Sequence, residues 1–286
     1  MKKVIKNAIV LFLLLLLAFA IAIVPSRVWI SVEEYAIPGA GKAEGVQIAL
    51  ISDLHGREFG EGNERLVRKI AGQAPDLICV VGDMFEADAS DGEITDFAAL
   101  LCELVEIAPV FVSYGNTEIT YEAANGAQWR QIAENAGATV LEEDYVDLEI
   151  NGQALRVGGL FDYAFDNAQN EAAWKASETY RFLSDFTDTD AYRILLCHRP
   201  DCFIYGGAYN DWKIDLVLCG HTHGGLWRLP LVGGLYAPEQ GWFPKYDKGL
   251  FTLGEIKMVI TSGLSGHGWI PRMLNLPEVT MIRLGE

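Results

Sequence analysis

Apolar residues in this chain come in short runs that end in polar or glycine-rich turns, and these runs alternate with stretches of helical period. Val46 to Ser52, Leu77 to Val81, Pro109 to Ser113, Tyr192 to Cys197 and Ile214 to Cys219 read as buried strands. Glu61 to Gln73 reads as a helix with Leu66, Val67 and Ile70 on one face; Ile94 to Ile107, Ala127 to Asn135 and Ala168 to Leu183 are further helices. Val146 to Ile150 and Ala154 to Val157 flank Asn151-Gly152, a dipeptide suited to a tight hairpin turn. Leu250 to Leu253, Ile256 to Thr261 and Val279 to Leu284 close the chain as strands. The alternation predicts one α/β domain with a mixed, two-layered sheet flanked by helices.

The N-terminus breaks this pattern. Lys2, Lys3 and Lys6 precede Ala8 to Val24, an uncharged apolar run. Its length is near the ~17 residues that suffice to span a bilayer. Ala20-Ile21-Ala22 has the small-x-small form of a signal-peptide cleavage site. The run continues through Ile23 and Val24, and Trp29 stands where an interfacial aromatic would, which favours an uncleaved anchor. The lysines then stay cytoplasmic and the body lies outside. The expected division is an anchor over 1–28, a connector over 29–45 and a catalytic domain over 46–286. Pro38-Gly39-Ala40-Gly41 marks a turn inside the connector.

Half of the residues are hydrophobic, ample for a core. The net charge of −17 repels phosphate backbones and argues against a nucleic-acid partner. A phosphate substrate stays open, because bound cations reverse the local sign. Cys79, Cys197 and Cys219 sit in strand-like contexts and read as small core residues, and no CxxC spacing offers a thiolate metal site.

Charged and imidazole side chains cluster where the strands end. The first end carries Asp53 and His55, the second Asp83, the third Asn116, the fourth His198, and the fifth His221 and His223 in Gly220-His221-Thr222-His223-Gly224-Gly225. Four of the five histidines are thereby placed. Ligands bind beyond the carboxyl ends of strands in α/β sheets, so these seven residues are expected to converge. Seven nitrogen and oxygen donors without thiolate suit two divalent ions, with manganese, iron or zinc favoured over copper(I) or calcium. Two ions ~3.5–4 Å apart can clamp the attacking and leaving oxygens of an in-line displacement at phosphorus. Arg199 and Arg272 are candidate phosphate contacts, a salt bridge being the alternative for Arg199. Trp227, Tyr236, Trp242, Phe243 and Tyr246 form either a lipid-facing surface or an aromatic minicore under a long loop.

The ordered set D-x-H, G-D, G-N, H and G-H-x-H resembles the calcineurin-like metallophosphoesterase family. His-Thr-His-Gly-Gly-Leu-Trp at 221–227 and the closing Leu-Asn-Leu-Pro-Glu at 274–278 are similar to a membrane-anchored bacterial branch, typified by phosphohydrolases of lipid-linked pyrophosphates such as UDP-diacylglucosamine. The resemblance implies a four-layer α/β/β/α sandwich. It assigns Asp53, His55 and His223 to one metal, Asn116, His198 and His221 to the other, and Asp83 to both, with the attacking hydroxide between them. It implies a phosphate-ester or pyrophosphate substrate, lipid-linked in that branch, and a single-pass protein of the bacterial cell membrane. A tethered phosphodiesterase of soluble substrates and a metal-binding protein of low activity are the alternatives. One position departs from the family: its usual histidine after the asparagine is Thr117 here, followed by Glu118. Thr117 can hydrogen-bond a substrate but cannot serve as a neutral-pH acid, a role worth ~10²–10⁴-fold. His267 is the candidate to supply the missing imidazole.

Overall fold

In the computed structural model, which describes residues 2–38, 41, 43–160, 175–205, 212–266, 268 and 270–285, the strands assemble into two mixed sheets. In chain order the elements are α1 (Lys2–Val28), β1 (Ser31–Ile37), β2 (Gln47–Ile51), α2 (Glu64–Ala71), β3 (Leu77–Val81), α3 (Asp91–Val105), β4 (Val110–Ser113), α4 (Asn116–Asn125), α5 (Gln128–Asn135) and β5 (Thr139–Leu141). Then come β6 (Asp144–Ile150), β7 (Gln153–Leu160), α6 (Glu178–Thr187), β8 (Tyr192–Cys197), α7 (Asp201–Tyr205), β9 (Leu216–Cys219), β10 (Gly249–Leu253), β11 (Ile256–Ile260) and β12 (Glu278–Leu284). Short two-residue ladders lie between β9 and β10.

The first sheet has the order β1-β12-β2-β3-β4-β5, parallel except where β12 meets β2. The second has the order β10-β11-β9-β8-β7-β6, with a parallel centre and an antiparallel strand at each edge. Side chains alternate across each strand, so one strand feeds two cores. Ile48, Leu50, Cys79 and Val81 of the first sheet pack with Val157, Leu196 and Leu218 of the second. The alternate residues Ala49, Ile51, Ile78 and Val80 face α2, α3 and α5. Leu195, Cys197, Val217 and Cys219 face Phe182, Leu183 and Phe186 on α6. The layers are therefore α/β/β/α, as the motif resemblance implied, with an apolar N-terminal helix added.

Local chemistry sets the element ends. Ser90 caps α3: its hydroxyl accepts from Glu93 N, and Glu93 returns a bond to Ser90 N. Behind that cap Ile94, Phe97, Leu101 and Leu104 make the buried stripe. The Asn151-Gly152 hairpin joins β6 to β7 with φ of 54° and 75°, both in the left-handed region such a turn requires.

Several elements were not anticipated, among them the five-residue helix Asp201–Tyr205. Ser31–Ile37, expected as connector, is a strand paired along its whole length with β12. It carries Glu33 and Glu34 and lies at a sheet edge, which leaves no clear apolar alternation. Asn116–Asn125 is a helix that begins on a site residue, and Thr139–Leu141 is a three-residue edge strand. The helix expected over 168–183 falls partly outside the described residues; beyond 175 the helical segment is Glu178–Thr187.

Trp129 on α5 anchors the outer face of the first sheet. It is fully buried, lies edge-on to Tyr114 and Phe85, and donates to Glu122 Oε2 at 3.1 Å. Trp129→Ala is expected to lower the unfolding free energy by about 3–5 kcal/mol, read from denaturant titration of the full chain.

Candidate metal centre

Strands β2, β3 and β4 of one sheet and β8 and β9 of the other all end at the same rim, and each delivers polar residues there. The turns after β2, β3 and β9 are sharp. Asp53, His55, Asp83, His221 and His223 all have φ between 48° and 69°, a region disfavoured for residues with a Cβ. Each such residue costs ~1–2 kcal/mol. Five of the seven expected ligands share this conformation, and strain of this kind clusters at functional sites. Two glycines allow the approach. A Cβ at Gly220 would lie 2.6 Å from Asp53 Oδ2, and one at Gly115 would lie 2.4 Å from Asp83 Oδ1.

The side chains form two groups. Asp53, His55 and His223 bring potential ligand atoms within 4.8 Å of one another, and so do Asp83, His198 and His221. His223 Nε2 lies 3.7 Å from Asp53 Oδ1, and the His55 and His223 rings stack at 5.2 Å. His198 Nε2 lies 3.3 Å from Asp83 Oδ2, with its ring edge-on to His221 at 5.2 Å. Asp83 Oδ2 is also 3.7 Å from His55 Nε2, so one carboxylate stands between the groups. Asn116 Oδ1, at the start of α4, is shut off from solvent with no hydrogen-bond partner among the described residues. A buried acceptor left without a proton fits a cation.

The imidazoles are oriented from behind. Val81 O lies 2.7 Å from His198 Nδ1, and Ser265 O lies 3.2 Å from His223 Nδ1, which aims each Nε2 at a carboxylate. His55 Nδ1 meets Glu86 Oε1 at 3.3 Å, and His221 Nε2 meets Glu239 Oε2 at 2.9 Å. Glu86 and Glu239 escaped the sequence reading. Glu86 follows Asp83 closely but in no recognisable motif, and Glu239 lies in a long loop with nothing in its spacing to link it to His221.

Burial opposes charge on Asp83, yet His198 and His55 outweigh it and hold the carboxyl well below its usual range. Burial likewise acts against Asp53, and the charge of His198 beside it works the other way, so its carboxyl is held below the usual range. His198 shows the counterpart: desolvation disfavours its charge, and Asp83 raises its pKa well above that of a free imidazole. His223 is pushed down to about 3, chiefly by burial, and is therefore the neutral form that can ligate. The residues fit two divalent ions: two carboxylates, four imidazoles and one amide oxygen, without thiolate, packed where positive charge is needed.

The remaining expected residues lie close by but are engaged with the protein. Thr117 does not point at open space: its N–H and Oγ1 donate to Asp83 Oδ1 at 2.9 and 3.0 Å. Glu118 is buried and accepts from the N–H groups of Asp83, Met84 and Gly115, so it shapes the turn and does not face the ligands. Arg199 is buried beside His198 and pairs with Glu239. Arg272 is completely enclosed and donates to the carbonyls of Ser262, Ser265, Asn275 and Leu276. Its guanidinium is committed to that loop, and through Ser265 O to His223; an anion contact is not what it makes. His267 lies outside the described residues.

The Thr117 bond to Asp83 yields a test. Thr117→Val removes the hydroxyl while keeping the shape, and is expected to weaken metal binding about 10- to 100-fold, the usual size of an outer-shell loss. Metal content after dialysis against graded chelator reads it directly. Asn116→Ala is expected to retain one ion and lose the other, whereas Asp83→Ala loses both.

Comparison with known proteins agrees with this geometry. The Calcineurin-like phosphoesterase family model matches residues 46–225, more than half of the chain. The chain is 30% identical over 212 residues to the phosphodiesterase YaeI of Escherichia coli, covering 74% of this chain and 71% of that protein. It is 28% identical to an uncharacterized metallophosphoesterase of Aquifex aeolicus, over 90% of this chain and 92% of that one. Among solved structures, sulfate thiohydrolase SoxB of Thermus thermophilus superposes with a TM-score of 0.50 at 12% identity, over 80% of this chain and 53% of that one, a likeness of fold alone. The match spans the strand ends that carry all seven expected ligands, and the chain belongs to the calcineurin-like phosphoesterase family, as a metal-dependent phosphoric ester hydrolase.

Proposed function

We propose that this protein is a membrane-anchored, dinuclear-metal phosphoesterase that cleaves a phosphodiester or pyrophosphate bond of a lipid-linked substrate. The observation that carries the dinuclear reading is Asp83, whose carboxylate stands between His55 of one group and His198 of the other. Asp53, His55 and His223 would hold one ion, Asn116, His198 and His221 the second, and Asp83 both. The donor set favours manganese, iron or zinc. When bound, the ions would polarise phosphoryl oxygens and make water nucleophilic near neutral pH.

The residues of the chain set the preference for leaving group. Thr117 Oγ1 is bound to Asp83, and Glu118 is held by three backbone N–H groups. Neither offers a proton to a departing oxygen, so groups that leave as stable anions are favoured over alkoxides. His267 stays our candidate for a proton donor; unchanged turnover of an alkyl phosphate ester by His267→Ala would count against it. Arg199, beside His198, is the candidate phosphate contact, with Glu239 as the pairing a substrate would have to displace.

The lipid part of the reading is supported by α1. An 18-residue window within Lys3–Val28 has a mean hydropathy of 3.1, and the helix is long and apolar enough to cross a membrane. Its end is fastened to the body: Ala22 O accepts from Leu274 N at 2.8 Å, and Ser26 Oγ donates to Arg272 O. Cleavage after Ala22 would remove the acceptor of the Leu274 N–H, which favours an anchor over 1–28 that stays attached, with the catalytic domain from 46. Lys2, Lys3 and Lys6 support a cytoplasmic helix start, with the body outside it, in a bacterial cell membrane. The N-terminal sequence of mature protein from membranes tests this; the expected result is Met1 or Lys2, not a residue after Ala22.

The activity is tested with the full chain in detergent and added manganese. Turnover of bis-p-nitrophenyl phosphate is expected, falling to background with chelator and in Asp83→Ala. No turnover of it or of p-nitrophenyl phosphate, with two ions bound, would contradict the proposal. Detergent-dispersed nucleotide-lipid pyrophosphates should then be cleaved; cleavage of soluble diesters alone would make the protein a tethered phosphodiesterase.

A further inference from the structure

The loop after the metal ligands has two faces. Inward, Glu239 reaches His221 and Arg199. Outward, large apolar side chains stand in solvent: Trp242 is 68% exposed and Phe243 61%, with Leu231, Val232 and Tyr236 also exposed. Tyr246 alone of the expected aromatic cluster turns in, against Phe251. An apolar groove of about 300 Å³ runs between Trp227, Leu235, Tyr236, Trp242 and Ile270. The loop is held in this shape. Asp247 accepts from Arg228 and Gly234 N, and Leu235 N and Phe243 N extend the ladder from Trp227 O and Leu235 O.

This face adjoins the exit of α1. Trp227 pairs with Met273, and Trp227 Nε1 donates to Pro271 O. The next residue, Leu274, is half exposed and donates its N–H to Ala22 O. Ala22 lies inside the apolar run that ends at Val24, ~3 Å deeper along the helix at the α-helical rise. If α1 spans a bilayer, Leu274 is level with the last turn of its hydrocarbon segment, and the Trp227 strip starts one residue away. On the other side Arg57 donates to Ser26 O, Arg27 O and Leu264 O, and Arg65 donates to Val28 O. Arg27, Arg57 and Arg65 gather at the helix end on a chain whose net charge is −17. Tryptophan and tyrosine above an apolar zone, with arginines beside them, is the composition of a membrane interface.

We infer that the outer face of residues 226–243 is seated in the interfacial layer of the same bilayer that α1 enters, so that the metal centre opens toward the lipid surface. The occupant of the groove is lipid. Arg57, which holds the helix end, lies two residues after His55, and the groove lining begins at Gly225, two residues after His223, so both features start beside the rim of the centre. A phosphate at headgroup level would reach the ions while its acyl chains stayed in the groove. The inference rests on the anchored, lipid-linked reading above and names the surface that reading needs.

The test uses the full chain, one copy per nanodisc of phosphatidylcholine and phosphatidylglycerol, in a background with the exposed Cys102→Ser. A spin label is placed at Phe243→Cys or Val232→Cys, and at Glu149→Cys on the distant β6 edge as a control, each read over the unsubstituted background. Relaxation by oxygen, which concentrates in lipid, is compared with relaxation by a water-soluble nickel chelate. The expected result is a severalfold higher oxygen-to-nickel ratio at 243 and 232 than at 149. Equal ratios would overturn the inference, and so would shielding from both reagents, which marks a face covered by protein. Turnover of bis-p-nitrophenyl phosphate by the same discs separates the two claims. Intact turnover with a water-exposed loop defeats the membrane face alone, and a lipid-immersed loop without turnover defeats the proposed activity alone.

Discussion

Two carboxylates shut away from water need positive charge beside them, and much of the rim of this fold serves that need. Asp53 and Asp83 are both buried, and an isolated ionised carboxylate in such surroundings would neutralise instead of persisting. Four imidazoles face them, and Thr117 and the His221 N–H add hydrogen bonds. In the protein alone, His198 carries part of the balancing charge. Divalent ions would supply far more of it, which is why the cluster reads as a metal centre and not as a structural ion-pair network.

The two-sheet architecture makes such a cluster affordable in backbone terms. Parallel strands of both sheets end at one rim, so ligands from five separate turns meet without a long loop. The left-handed turns at Asp53, His55, Asp83, His221 and His223 are unfavourable one by one. They are held by cross-links between turns: His55 N to Asp83 O, Asp53 N to Gly82 O, Ser265 N to Asp53 O. Glu118 adds a buried carboxylate whose three N–H bonds fix the Asp83 turn from below. Position 117 thus has a supporting role in this chain, steadying with two hydrogen bonds the carboxylate that stands between the two groups.

Much of this was legible in the residues. The buried strands β3 and β8 end where their apolar runs end, because a fully buried strand must be apolar throughout. The gathering of Asp53, His55, Asp83, His198, His221 and His223 was legible because each follows such a run. What escaped had weak local signals. Ser31–Ile37 is an edge strand bearing glutamates, and its partner β12 lies far along the chain. Arg272 looked like an anion contact because its enclosure by four carbonyls depends on the fold of the 262–276 loop. Glu239 meets His221 across a loop whose course no spacing rule describes. Glu142 accepts from Arg130 and Tyr114 and Glu143 from Thr179, contacts between elements that no local pattern announces.

The central claim is that Asp83 joins two metal ions at the meeting of two sheets. A crystal structure of the full chain grown with manganese, with anomalous scattering recorded, tests it most directly. The account predicts two anomalous peaks ~3.5–4 Å apart, one among Asp53, His55 and His223 and one among Asn116, His198 and His221, with Asp83 touching both. A single peak, or two peaks that do not share Asp83, would contradict it.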